Sequence, residues 1–247
     1  MLQVMSAMSR HAGTDPTMLS WLSRASSEII TLKCVQHVVV NTPISAGLLD
    51  KAERFVRQLP PLPELKYYVG AEPILGRIPL SPAREKEITS FMRLTPDQET
   101  LLTKHFIKGF LRQRELRRWI TLWRFLPRDE ASFAKSHKKI CATEDESAAE
   151  RSLIGSLYTA TNRDYRFLSG AYGFVIAWRR VNLAGIRLLR EGPLFPEQLP
   201  RCPESIDPFF EEPFQYHKSP TSFWVASREI PTNDLPISFQ YNIPTSS

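Results

Sequence analysis

The chain has 247 residues, and its apolar fraction of 42% and charged fraction of 23% are those of a folded protein, which excludes a wholly disordered one. The net charge of +6 is unevenly placed: residues 1–83, 84–140, 141–192 and 193–247 carry +2, +7, +1 and −4, so the middle is basic and the tail acidic. Three widely spaced cysteines, Cys34, Cys141 and Cys202, argue against a disulfide framework and for a reducing compartment.

The first 28 residues carry Arg10, Arg24 and several serines, with Asp15 the one acid before Glu28. That is the composition of an organellar targeting segment, so a mitochondrial location is expected, in the matrix or associated with the inner membrane. Residues 17–59 read as two short helices broken at Asn41-Thr42-Pro43, with Asp15-Pro16 as a helix entry. The β-branched run Val38-Val39-Val40 leaves a strand open there. Pro60, Pro61, Pro63, Pro73, Pro79 and Pro82 then predict an extended connector, because proline removes backbone donors and disfavours helix in the residue before it.

Thr95-Pro96-Asp97-Gln98 is a capping box with proline at the first helical position. Leu102, Phe106, Phe110, Leu116, Ile120 and Trp123 follow near helical period until Pro127, predicting a rod of about 45 Å. A shorter helix is expected over 130–140. Thr143-Glu144-Asp145-Glu146 reads as a second capping box opening a helix to about Leu168, and Gly170 and Gly192 are expected to bracket a last one. No stretch reads as a membrane span. The most apolar uncharged run, Phe167 to Trp178, lies between Arg166 and Arg179 and is too short.

The tail holds ten of the chain's 20 prolines in its last 55 residues, together with nine aromatic residues from Phe195 to Tyr241. Proline interleaved with aromatics predicts an extended strap whose rings enter pockets on a partner. The fold class expected is therefore mainly α: an antiparallel helical bundle or array with a long basic helix and an extended, proline-rich C-terminal tail. Its divisions fall at 1–59, 60–94, 95–192 and 193–247.

Candidate contact residues lie in two places. On the basic helix, Arg112, Arg114, Arg117 and Arg118, with Trp119 and Trp123 among them, suit phosphate or carboxylate, although a solvated face with core tryptophans explains them as well. In the tail, Phe209, Phe210, Phe214 and Trp224 are candidate anchors, and Asp207 to Phe214 reads as a docking peptide or as a segment folding back on its own chain. Arg180, Arg187 and Arg190 opposite an apolar stripe suit an anionic membrane surface or simple core packing. Cys34 with His37, and His137 with Cys141, have spacings that zinc could use, but buried cysteine without metal is the commoner outcome.

There is no nucleophile elbow, phosphate loop, HExxH or dinucleotide glycine pattern, so no residue is assigned to catalysis, to a cofactor or to a metal. The expected function is that of a non-catalytic accessory subunit of a large organellar assembly, such as a respiratory-chain or ATP synthase complex. Its partners would be other protein subunits, with an anionic lipid surface also open. An RNA-binding structural protein, of the kind found in organellar ribosomes, is the second reading.

Overall fold

A computed structural model describes residues 4, 7, 8, 11, 18–68, 123–149, 163–192, 195–228 and 236–242. These are mainly helical, with one small antiparallel sheet. The helices are α1 (Met18–Asn41), α2 (Ala46–Arg57), α3 (Phe133–Ala149) and α4 (Arg163–Arg190), followed by a 3-10 turn at Pro203–Ser205. The strands are β1 (Gln215–Ser219), β2 (Ser222–Ala226) and β3 (Ser238–Asn242). The chain divides into two compact units, one of residues 1–15, 19–63 and 171–247 and one of residues 16–18 and 64–170.

In the first unit, α1 and α2 are the two helices expected before the prolines, although α1 is long and carries Val38-Val39-Val40 in helix. The break at Asn41 is followed by Ser45, whose hydroxyl accepts from the backbone of Leu48 at 3.2 Å and caps α2. α4 ends at Arg190, and Gly192 takes a positive φ of 89° just beyond it, a backbone conformation that glycine enters without a Cβ penalty.

The tail departs from the expected strap. β1, β2 and β3 form one antiparallel sheet in that order, with Tyr216 opposite Val225, Phe223 opposite Tyr241 and Val225 opposite Phe239. Every strand is free of proline, while Pro213, Pro220 and Pro236 fall just outside the strands, where a missing donor costs the ladder nothing. Alternation puts Phe223, Val225, Phe239 and Tyr241 on one buried face. They join a single apolar core with Leu32, Val35, Leu49, Val56, Val181, Leu188 and Phe214. The tail completes this core; it does not hang from it.

Inside the unit, Glu28 of α1 accepts from Arg179 Nε of α4 at 2.6 Å, both side chains being buried, and Arg179 also donates to the Pro60 carbonyl at 2.6 Å. Arg190 reaches Asp50 at 2.8 Å and Glu53 at 2.7 Å on α2.

The second unit buries Leu65, Leu126, Phe133, Ile140, Tyr165 and Leu168. Asp129 and Ser132 exchange side-chain and backbone hydrogen bonds at 2.8 and 3.2 Å ahead of α3. Two helix limits differ from those expected. Thr143 lies inside α3, its hydroxyl donating back to Lys139 O at 2.9 Å, so it caps no helix; no breaker separates it from the preceding turns. α4 begins at Arg163 and runs through Gly170, a single glycine being tolerated within a helix.

Candidate functional site

α1 distributes its charges opposite to the way a water-facing helix does. It carries three charged residues, Arg24, Glu28 and Lys33. Glu28 is buried against Arg179, Arg24 donates to Pro61 O at 3.4 Å, and the Lys33 ammonium lies 5.1 Å above the centre of the Trp178 ring. The solvent-facing stripe is Leu19, Ser23, Ser26, Ile30, His37 and Asn41, at spacings of three, four and seven, flanked by Val38. Leu19 is 74% exposed, Ile30 53% and Val38 39%, and no charged side chain lies on the stripe. The serines and leucines gave no sign of this in the sequence, because which face was buried depended on the partner of Glu28.

At the C-terminal end of the stripe a shallow groove of about 290 Å³ is lined by Lys33, Gln36, His37, Val40, Asn41 and Gln240 of β3. Asn41 donates to the His37 carbonyl at 2.8 Å and lies 3.1 Å from His37 Nδ1, so amide and imidazole are set beside each other at the groove's edge.

The tail's candidate anchors have separate fates. Phe214 is 3% exposed and belongs to the chain's own core. Phe209 packs against Phe174 with ring centres 5.4 Å apart, and Trp224 stacks on His217 at 5.3 Å across the β1–β2 pair. Phe210 alone of the four remains largely open, at 42% exposure. Asp207 is buried and organises this segment: its carboxylate accepts from Phe209 N, Ser227 Oγ and Arg228 N at 3.0, 2.7 and 3.2 Å. Glu211 closes the turn at a φ of 57°, in the left-handed region. The acids between the rings thus serve a turn of this chain.

The basic helix expected over 95–126, with Arg112, Arg114, Arg117 and Arg118, lies up to residue 122 outside the described residues. Trp123, at its end, donates Nε1 to Lys66 O at 3.4 Å, and the Lys66 ammonium sits 5.1 Å over the same ring. Burial, with Arg128 nearby, holds the Lys66 pKa below its ordinary value. The stripe of α4 containing Trp178, Val181 and Leu188 is core, and Arg180 donates to Ile206 O at 3.0 Å.

One compact cluster of titratable groups stands in the second unit. Cys141 Sγ lies 3.5 Å from His137 Nε2, and His137 Nδ1 lies 3.0 Å from Ser169 Oγ. Arg166 pairs with Asp145 at 3.0 Å. Burial, and then the Arg166 charge, push the His137 pKa down to about 4, so the imidazole is neutral at physiological pH. No group of three or more His, Cys, Asp or Glu among the described residues is placed to hold a metal ion. No described helix is long and apolar enough to cross a membrane.

Comparison with protein-family models, with curated proteins and with solved structures gave no match to this chain.

Proposed function

We propose that this protein is a non-catalytic structural subunit of a larger protein assembly, seated on a neighbouring protein through the outer stripe of α1. The observation that carries the reading is the inversion of that helix: its charges are turned toward its own unit, while Leu19, Ile30 and Val38 face outward. An uncharged helix face that exposes three large aliphatic side chains offers anchors that a protein partner can cover. Extending over 24 residues, α1 offers a contact of about 36 Å.

The composition of the stripe selects among partners. RNA or an anionic lipid surface recruits lysine and arginine, and the stripe has neither. Serine, histidine and asparagine among large aliphatic side chains suit a protein face, where short hydroxyls and amides find hydrogen-bond partners between the anchors. The organellar setting is proposed from the composition of the first 28 residues, with mitochondria as the compartment.

A photo-crosslinking side chain at position 30, introduced into the full-length protein in its native cell, tests this. It should capture one discrete protein, and the same group at Lys51, exposed on α2, should not. Equal and diffuse labelling from both positions would overturn the proposal.

A further inference from the structure

The cluster at Cys141 contributes nothing to the α1 stripe and lies in the other unit. All three cysteines are thiols of intermediate exposure, so their reactivities are set by what stands beside each. Cys141 and His137 are one turn apart on α3, with the imidazole fixed by Ser169. Arg166 is held on the same side of α3 at two points. Its guanidinium meets Asp145 at 3.0 Å, and its backbone N–H donates to Glu144 Oε1 at 3.1 Å. The charge of Arg166 is felt at both Cys141 and His137: a thiolate at Cys141 is the foremost cause that raises the Arg166 pKa.

The other cysteines lack this setting. Cys202 lies 2.9 Å from Ser205 Oγ, beside the Glu204 carboxylate. Cys34 lies on α1 one turn before His37, whose ring stands beside the Asn41 amide.

We propose that Cys141 is a thiol-exchange site that takes small anionic disulfides, of the class of glutathione disulfide, into a mixed disulfide. The cation at Arg166 favours the thiolate, and the neutral imidazole of His137 presents a nitrogen lone pair or an N–H to the sulfur without competing for charge. The Cys141 thiolate attacks one sulfur of the disulfide. A new S–S bond forms as the old one breaks, and the second half leaves as a thiolate. Cys141 has given one proton to solvent and the departing thiolate takes one up, so protons balance; Cys141 is oxidised and the released half reduced. Carboxylates on the incoming disulfide meet Arg166 and the exposed Lys138, one turn before Cys141.

The test treats the reduced, full-length protein with glutathione disulfide at pH 7 and follows each cysteine by peptide mass against time. An ordinary thiol is only a few per cent thiolate at this pH, so Cys141 should be modified at least about fivefold faster than Cys34 and Cys202. Arg166→Gln should bring Cys141 down toward the other two, while Arg166→Lys keeps most of the difference, with circular dichroism confirming that both variants fold. The proposal is overturned if Cys141 reacts no faster than the other two in the native chain, a comparison that needs no variant. An Arg166→Gln protein that is folded and reacts as fast as the native one would overturn it equally.

Discussion

The ring of Phe239 in β3 rests directly on Gly185 of α4: a Cβ added to that glycine would fall under 3.0 Å from three of the ring's carbons. Phe239 is fully buried, so the ring has nowhere to retreat. Glycine costs a helix interior about 1 kcal/mol relative to alanine, which by itself would make Gly185→Ala stabilising. Overpacking a closed core costs about 1–3 kcal/mol and wins here. Gly185→Ala should therefore lower the midpoint of thermal unfolding, and adding Phe239→Leu should recover part of the loss. Strict additivity of the two changes would show that helix and strand are not in contact there.

The pair between Glu28 and Arg179 joins residues 151 positions apart, and it fixes which face of α1 is inward. Glu28→Ala removes the carboxylate that faces the buried Arg179 guanidinium, and should cost about 3–5 kcal/mol in urea unfolding. Replacing both partners by methionine should cost much less than the two single changes summed, because no buried charge is stranded. A double variant as unstable as the sum would show that the two side chains act independently.

His137 gives the second unit a pH dependence of definite sign. Its pKa is about 4 in the folded chain and near 6.5 when unfolded, so between these values the unfolded chain binds more protons. Stability rises with pH across that window and is lost as the medium is acidified from about 6.5 to about 4. With the imidazole partly open to solvent, the loss should be roughly 1–3 kcal/mol. Denaturant unfolding at pH 7.5, 5.5 and 4.5 measures it, and His137→Gln should flatten the profile relative to the native chain. An unchanged profile in that variant would place the titration elsewhere.

Local signals in the sequence carried part of this structure. The break at Asn41-Thr42-Pro43, the glycine ending α4 and the apolar stripe opposite Arg180, Arg187 and Arg190 were legible because each follows from backbone sterics or from one face of one helix. The sheet was not read, although Phe223, Val225, Phe239 and Tyr241 alternate correctly. Ten prolines taken together suggested an unpaired strap, whereas their individual positions, at 213, 220 and 236, mark where strands begin and end. The acids of 207–212 likewise looked like groups for a partner, because the roles of Asp207 depend on Ser227 and Arg228, some twenty residues away. The α1 stripe was hidden for the same reason: only long-range pairing with Arg179 tells which side of the helix faces out. The nearness of Cys141 to His137 was visible as a spacing of four, but Ser169 and Arg166, which give it chemistry, come from another helix.

The claim that the outer stripe of α1 seats this protein on a neighbour is tested most directly by the native mass of a stripe variant. Ile30→Lys and Val38→Lys together place charge on solvent-facing positions, so the isolated protein should keep its circular dichroism and unfold within about 0.5 kcal/mol of the native chain. Expressed in its own cells and extracted under mild conditions, the native chain should migrate with a high-mass assembly. The variant should migrate at the mass of the free protein, since an interface core does not accept two unpaired charges. A folded variant that still enters the high-mass fraction at native levels would contradict the account.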